Sequence, residues 1–187
     1  QQWFEFKGGW RMPGQVQPKI TNSYVNGTSS TPLRYQTIGQ AFDDAVARWG
    51  DREALVSRHQ NVRWIYRQLA EKVDTFAAGL AALGLEPGER IGIWAPNCWE
   101  WVVTQFATAK LGLVLVNINP AYRLTEVEFA LNKVECKALI LADRFKSSDY
   151  VEMMQTLVPE LASNAPGKLK AKKLPHLAIA IRMGKDK

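Results

Sequence analysis

RIGIWAPNCWEWVVTQFATAKLGLVLVNINP, residues 90–120, is the stretch that decides the fold of this chain. It opens with the apolar run Ile91–Trp94, passes through a short loop and continues into Trp99–Leu111, which has the length and composition of a helix. Gly112 ends that helix, and Leu113–Ile118 is a continuous apolar run, typical of a strand buried on both faces. Strand, helix and strand joined by short links predict a parallel α/β sheet with right-handed connections.

Upstream of this stretch, Thr37-Ile38-Gly39-Gln40 has the pattern of a helix-capping box. Apolar residues recur at helical spacing up to Trp49, and Gly50 is expected to end the helix in the left-handed conformation. Short apolar segments on either side of the turn at residues 59–61 predict a hairpin, and an amphipathic helix follows over residues 66–83.

Downstream, the alternation of strands and helices continues. Thr125-Glu126-Val127-Glu128 resembles a second capping box and predicts a helix to about Val134. Lys137–Ala142 and Leu177–Ile181 are predicted strands, with a helix over Ser148–Leu157 between them.

The chain is predicted to divide at residue 36. Residues 1–36 contain many Pro, Gly, Ser and Thr residues and are expected to form an irregular leader. Residues 1–11 precede the first Met and fit a tag, part of an upstream segment or a translated non-coding stretch. Regular structure is expected over residues 37–187.

The net charge of +6 is concentrated near one end of the chain. Residues 168–187 carry seven basic side chains and one acidic one, so the other 167 residues balance 17 basic against 17 acidic side chains. A short basic stretch of this kind favours a solvated loop, and the alternative is contact with an anionic partner.

The two cysteines indicate the redox compartment of the protein, and the hydropathy argues against a membrane-spanning helix. Cys98 and Cys136 stand in no metal-ligand spacing and have apolar neighbours, which favours buried thiols in a reducing compartment. The longest apolar run, Trp101–Ile118, is interrupted by polar residues and is too short to cross a membrane.

Four stretches of the chain, in their order and spacing, resemble the acyl-CoA synthetases. The resemblance covers about residues 35–187 and is nearest to the medium- and long-chain fatty-acid branch, including the family member 2 type, in which the NPAY of residues 119–122 is typical. Ile65 is a departure, since relatives usually carry Ser or Thr there. The stretches are Tyr66–Leu69 with its helix, Pro87–Ile93, Ala95–Asn97 with the helix ending at Lys110–Gly112, and Val116–Tyr122 followed by Glu126–Leu131 and Lys137–Ile140.

This resemblance implies a fold and a reaction. Residues 37–187 would form the N-terminal part of the large adenylate-forming domain, a mostly parallel sheet flanked by helices and truncated at its C-terminal end. The parent enzyme would use ATP, Mg²⁺ and coenzyme A to convert a fatty acid to acyl-CoA through an acyl-adenylate. The Ser/Thr/Gly-rich loop that cradles the triphosphate in this family is absent from the sequence, so the chain alone is predicted to be inactive.

Two segments imitate a phosphate loop in composition only. Residues 26–32, NGTSSTP, lack a following Lys-Gly and a preceding strand. Pro166-Gly167-Lys168 resembles the end of a Walker A motif, but Ala162 stands where the first Gly is needed and Leu169 where Ser or Thr is needed. Both are therefore predicted to be plain loops.

Arg144 and Lys146 are the candidate site residues. They follow the predicted strand that ends at Ala142, and ligands of α/β sheets bind at the carboxyl ends of strands. The resemblance implies that basic residues here contact the phosphates of coenzyme A, while the alternative is a solvated loop. No catalytic or metal-binding residue is assigned.

Two alternatives to a fatty-acid ligase remain open at this point. One is another adenylating carboxylic-acid ligase of the superfamily, because the acid pocket is built mostly from other residues. The other is a non-catalytic α/β binding module whose basic tail contacts nucleic acid or an anionic membrane. For the ligase, the expected partners are the acid substrate and peripheral membrane contact, without nucleic acid, and the expected location is the cytoplasm, or the mitochondrial matrix in a eukaryote.

Overall fold

The computed structural model describes residues 27, 30, 31 and 34–184 of the chain. Most of the predicted leader, including residues 1–11, lies outside the described residues. The described helices and strands belong to the compact unit that begins at Gln36. The helices are α1 Ile38–Trp49, α2 Tyr66–Ala82, α3 Trp99–Leu111, α4 Leu124–Lys133 and α5 Tyr150–Leu157, with 3-10 helices at Arg58–Gln60 and Pro159–Ala162. The strands are β1 Glu53–Ser57, β2 Val62–Ile65, β3 Arg90–Trp94, β4 Val114–Asn117, β5 Ala138–Leu141, β6 Arg144–Phe145, β7 Ser148–Asp149 and β8 Ile179–Arg182.

A four-stranded parallel sheet is the centre of the fold, in the order β4-β3-β5-β8. The predicted α/β class and the parallel sheet are confirmed. The prediction that the apolar run of β4 is buried on both faces is wrong, since Val114 is 48% exposed. Because β4 is the outermost described strand on its side, it has a strand neighbour only at β3, and an apolar run alone does not distinguish an edge strand from a central one.

Two helical layers cover the sheet. Ile91 and Ile93 of β3 point into a core shared with α1, α2 and α3, whereas Trp94 points into the core on the opposite face, shared with α4 and α5. Gly92 also faces the second layer, where a Cβ would lie 3.0 Å from Cδ1 of the buried Leu139. The layers therefore fit the sheet closely, and β3 and β5 form its buried middle.

Helix α1 begins as predicted and ends differently. The Gln40 N–H donates to Thr37 Oγ1 at 3.2 Å and the Thr37 N–H donates to Gln40 Oε1 at 2.9 Å, so the capping box is confirmed. The left-handed stop at Gly50 is wrong, because Gly50 has φ −46° and ψ −38°. A glycine fits this position because there is little room for a side chain: a Cβ would lie 3.1 Å from the Val46 carbonyl oxygen.

A second close approach fixes α1 on α3. At Gly39, a Cβ would lie 3.1 Å from the Cα of Lys110. The Lys110 ammonium binds Asp43 of α1 and Asp74 of α2, each at 2.6 Å. One lysine of α3 therefore joins the other two helices of this layer.

Three other helices begin where sequence patterns were weak or misleading. Helix α2 starts without a side-chain cap at Ile65, whose N–H donates instead to Gln68 Oε1 at 3.1 Å. Helix α4 starts at Leu124, so the predicted cap at Thr125 is wrong, because Glu126 accepts from the Arg123 N–H at 3.0 Å. Helix α5 starts at Tyr150, after the predicted Ser148, because Ser148 and Asp149 pair with β6.

The amino end of the sheet is closed by charged pairs between the starts of β3 and β5. Arg90 donates from Nε to the Val134 carbonyl and from Nη2 to Glu135, both at 2.7 Å. Lys137 binds Glu89 at 3.1 Å. These contacts join the two central strands at one end, beside a cleft of about 370 Å³.

None of the helices in the described part of the chain combines the length and the hydrophobicity that a membrane span requires.

Candidate functional site at the carboxyl edge

The order of the strands reverses between β3 and β5. From β3 the chain passes through α3 to β4 on one side, and it then returns through α4 to β5 and on to β8 on the other side. Helices α3 and α4 lie on opposite faces of the sheet. The crevice outside the carboxyl ends of the strands at such a switch point is where ligands of open α/β sheets bind.

A pocket of about 260 Å³ lies at this switch point. Its walls come from the loops after β3, β5 and β8 and from the 3-10 helix of the β1–β2 hairpin. The lining residues are His59, Gln60, Pro96, Cys98, Glu100, Ala142, Asp143, Arg144, Met183 and Gly184.

Gln60 ties the hairpin wall of the pocket to the start of α3. Its Oε1 accepts from the Trp99 N–H at 2.7 Å, and its Nε2 donates to Glu100 at 2.8 Å. Cys98, the residue at the cap position of α3, makes no side-chain capping bond. A side chain about 40 residues upstream therefore satisfies one of the free N–H groups that a helix start leaves.

Asp143 and Arg182 form the second link of the pocket, between the ends of β5 and β8. The guanidinium donates from Nε to Oδ1 at 2.5 Å and from Nη2 to Oδ2 at 3.0 Å, a two-bond geometry that fixes both groups. The hydrogen bonding of Arg182 to Asp143 is the main cause of the raised pKa of Arg182, with the Asp143 charge as the second cause. The carboxylate therefore has a cation beside it on the β8 side of the pocket.

Arg144 lines the pocket, and Lys146 does not. Arg144 is 72% exposed and reaches Asp149 with one bond of 3.2 Å, which leaves most of its five N–H donors for a ligand. Lys146 sits in the turn between β6 and β7 with φ +52°, and its ammonium lies 5.3 Å from the centre of the Phe145 ring. The structure thus brings only Arg144 to the pocket, and a role of either residue in phosphate binding stays a prediction.

Cys98 contributes a thiol to the pocket, but not a reactive one. Burial raises its pKa to about 11. The second thiol, Cys136, is buried near the amino end of β5, and burial raises its pKa to about 11 as well. The prediction of buried thiols is confirmed for Cys136, whereas Cys98 is only half-buried.

The described part of the chain holds no cluster of three or more His, Cys, Asp or Glu side chains that could bind a metal ion. The Walker A imitation at Pro166–Lys168 is followed by irregular chain, and Gly167 occupies a turn with φ +74°. Residues 26–32 lie mostly outside the described residues. Among the described residues, the pocket offers charged and hydrogen-bonding groups to a ligand.

Sequence reasoning missed Gln60, Glu100 and Arg182. Each acts through a partner 39 or 40 residues away, so no local pattern marks it. The available signal was topological, since the ends of β3, β5 and β8 had to meet once a parallel sheet was predicted.

The fold, with a pocket at its switch point, is that of an adenylate-forming α/β domain. Residues 42–182 match the family model described as AMP-binding enzyme, and the chain belongs to this family. Together with the relatives named below, this match confirms the resemblance to acyl-CoA synthetases.

Similar proteins carry names that specify an activity. The chain is 46% identical over 164 residues to the protein named medium-chain acyl-CoA ligase ACSF2, mitochondrial, of Danio rerio. These 164 residues are 88% of this chain and 27% of that protein. Identity to the protein of the same name from Bos taurus is 43% over 159 residues, 85% of this chain and 26% of that one. A fatty acyl CoA synthetase structure from Mycobacterium tuberculosis has a TM-score of 0.65 at 23% identity, over 79% of this chain and 26% of its own, and supports the fold alone. The chain thus spans about a quarter of the length of these relatives.

Proposed function

We propose that this chain is part of a fatty-acid–CoA ligase that forms acyl-CoA, AMP and pyrophosphate from an acid, ATP and coenzyme A through an acyl-adenylate. The observation that carries the proposal is the 46% identity, over 88% of the chain, to a protein named as a medium-chain acyl-CoA ligase. The switch-point pocket supports it, since it lies where a ligand of this fold would bind.

The residues described here fit coenzyme A better than they fit ATP. None of the loops that lead from a strand into an α-helix among the described residues contains glycine, so no Gly-rich cradle for a triphosphate is present there. A cluster of ligands for Mg²⁺ is also missing from this part of the chain. We therefore assign ATP and Mg²⁺ binding to the parent enzyme outside these residues.

Arg144 is the residue that we expect to hold a phosphate of coenzyme A. An exposed guanidinium beside a pocket can bind phosphate oxygens with two parallel hydrogen bonds, which a lysine cannot. Lys146 would act only as a nearby positive charge, because it lies outside the pocket wall. When bound, coenzyme A supplies the thiol that accepts the acyl group.

The reaction is tested with the whole parent enzyme and with the 187-residue chain. We expect acyl-CoA formation from octanoate by the parent enzyme and no ATP–pyrophosphate exchange by the chain alone. Exchange by the chain would contradict its predicted inactivity. A preference of the parent for anthranilate or benzoate over octanoate would favour another adenylating ligase of the superfamily.

The assignment of Arg144 needs a measurement that separates coenzyme A from ATP. In the parent enzyme, Arg144→Gln should raise KM for coenzyme A about tenfold and leave ATP–pyrophosphate exchange unchanged, because the exchange requires no coenzyme A. Arg48→Gln, which removes an exposed guanidinium of α1 that does not line this pocket, is the matched control. An unchanged KM for coenzyme A in Arg144→Gln would refute the assignment.

The names of the same relatives support a proposal for the location of the parent enzyme. Because the ACSF2 proteins are named mitochondrial, we propose the mitochondrial matrix if the source is a eukaryote. Import of the parent enzyme into isolated mitochondria, with protection from added protease, tests this location.

A further inference from the structure

A lysine-rich segment, Lys168–Leu174, crosses the surface between the second 3-10 helix and β8. We call it the lysine segment. Leu169, Ala171 and Leu174 are buried in the core beneath α4 and α5, while Lys168, Lys170, Lys172 and Lys173 are exposed. Exposed and buried residues alternate from Lys168 to Lys172, so Lys168, Lys170 and Lys172 share the side away from the core.

Hydrogen bonds to neighbouring segments hold the backbone of the lysine segment in place. The Leu169 N–H donates to the Ala178 carbonyl at 3.1 Å, and the Lys170 N–H donates to Asn164 Oδ1 at 2.9 Å. The Lys172 N–H donates to Glu160 Oε1 at 3.0 Å, and Asn132 Nδ2 donates to the Lys173 carbonyl at 2.9 Å. The segment therefore has a fixed backbone conformation, and its four lysine side chains are exposed to solvent.

The ammonium groups of the segment are not neutralised within the described chain. None of the four lysines forms an ion pair with a described residue. The carboxylate that interacts with the segment is that of Glu160. Its pKa is lowered mainly by the Lys172 N–H and further by the charges of Lys172 and Lys173. Four like charges against one carboxylate give this face a positive potential that attracts anions.

We propose that the lysine segment docks the protein onto a membrane surface rich in anionic lipid headgroups. This partner rests on the proposed function, because a fatty-acid substrate and its acyl-CoA product both partition between water and lipid. A plane of headgroups requires only exposed cations on one side of the protein, which is the arrangement of Lys168, Lys170 and Lys172.

Nucleic acid fits the segment less well. Residues 163–178 contain no Phe, Tyr or Trp that could stack on an unpaired base. The segment is also irregular, whereas readout of the major groove uses a helix or a two-stranded ribbon.

Vesicle binding by the 187-residue chain tests the proposal. Sedimentation is measured with vesicles of phosphatidylcholine alone and with vesicles that also contain about 30% phosphatidylserine, at low salt and at about 0.5 M salt. We expect binding only to the anionic vesicles and release at high salt. The variant Lys168→Gln, Lys170→Gln, Lys172→Gln, Lys173→Gln should bind about 600-fold more weakly, since each lysine contributes about fivefold in affinity near an anionic surface.

A matched variant separates this surface from total charge. Arg34→Gln, Arg48→Gln, Arg58→Gln and Lys72→Gln remove the same number of exposed charges elsewhere and should retain most of the binding. Lys170→Glu alone, which keeps every backbone bond of the segment, should weaken binding by more than about fivefold and covers the case in which the fourfold variant fails to fold.

Three outcomes would overturn the proposal. These are equal binding to neutral and anionic vesicles, equal loss in the two fourfold variants, or binding to random duplex DNA that is tighter than binding to the anionic vesicles at the same salt. The vesicle assay requires no catalysis, so its failure would leave the ligase proposal intact. Absence of ligase activity in the parent enzyme would leave the vesicle result intact and remove only the reason given for lipid.

Discussion

The paired strands β3 and β5 are linked by different side-chain contacts at their amino ends and at their carboxyl ends. At the amino end, Arg90 and Lys137 join the strands through charged pairs with Glu135 and Glu89. At the carboxyl end, the side-chain links run elsewhere, from Asp143 to Arg182 and from Gln60 to the start of α3. Among the described residues, no ion pair bridges β3 and β5 there, and a pocket occupies the gap. The sheet is thus fastened at one end, which leaves the other end available for a ligand.

The largest expected effect is on the rate at which the two thiols are modified. Cys136 lies near the amino end of the sheet and Cys98 near the carboxyl end. Because burial raises both pKa values from 9.0 to about 11, the thiolate fraction near pH 8 should be about a hundredfold below that of an ordinary thiol. We expect slow modification of Cys98 by Ellman's reagent, and modification of Cys136 only on unfolding, since it is 1% exposed. The single variants Cys98→Ser and Cys136→Ser assign the two phases. Reaction of Cys136 at the rate of a free thiol would show that the amino end is not closed.

The second prediction compares an arginine at each end. Arg90→Met should lower the free energy of unfolding by about 2 kcal/mol, because it removes two hydrogen bonds and leaves the Val134 carbonyl without its partner. Arg144→Met should cost less than about 0.5 kcal/mol, because its pair with Asp149 is exposed. Urea unfolding measures both variants. Equal losses would remove the contrast between a structural end and a functional end.

The third prediction tests the link within the carboxyl end. Gln60→Ala should lower the free energy of unfolding by about 1 kcal/mol, since the N–H of Trp99 loses its cap. The control Gln105→Ala, at an exposed position of α3, should change it by less than about 0.5 kcal/mol. Hydrogen exchange at the Trp99 amide provides a local measurement. Unchanged protection of that amide in Gln60→Ala would contradict the capping role.

The smallest expected effect is the pH dependence of the free energy of unfolding. The pKa of Glu89 at the amino end is lowered mainly by the Glu86 N–H, and that of Asp149 at the carboxyl end mainly by the Glu152 N–H. A lowered carboxyl pKa contributes stability above its unfolded value, and that stability is lost as the pH falls through the folded value. We therefore expect the free energy of unfolding to decrease below pH 4.5 for Glu89 and below pH 3.8 for Asp149, the ordinary values of these groups.

Two variants assign this acid sensitivity to the ends of the sheet. Glu89→Gln should flatten the upper part of the profile, and Asp149→Asn should flatten the lower part. Urea unfolding between about pH 6 and pH 3 supplies the profiles. A wild-type chain that becomes more stable on acidification would contradict the sign.

The sequence indicated the fold well, because periodicity and composition report on local structure. Apolar runs and the capping box at Thr37 predicted β3, α3, β5 and α1 to within one or two residues. Errors arose where tertiary contacts decide, as at Gly50, where crowding by Val46 and not backbone conformation calls for glycine. The position of β4 at the edge likewise depends on strand order, which an apolar run does not encode.

The site was less accessible to sequence reasoning. Arg144 was found because it follows a buried strand, a purely local feature. Gln60 and Arg182 were not found, since their bonds reach 39 residues along the chain and depend on how the hairpin and β8 are placed. Long-range hydrogen bonds of this kind leave no periodic trace, whereas the strand ends that carry them can be located.

The close approach at Gly39 has a mechanical consequence for α1. Where interdigitating side chains join two helices, they can rearrange their rotamers and let the helices slide, but here the contact is between a glycine and the backbone of Lys110. Backbone atoms cannot change rotamer, so this contact holds the first turn of α1 close to α3. We expect that a methyl group added at Gly39 would push this turn away from α3 by a few tenths of an ångström and would shift α1 with it, as far as Trp49, which packs against the aromatic ring of Tyr66.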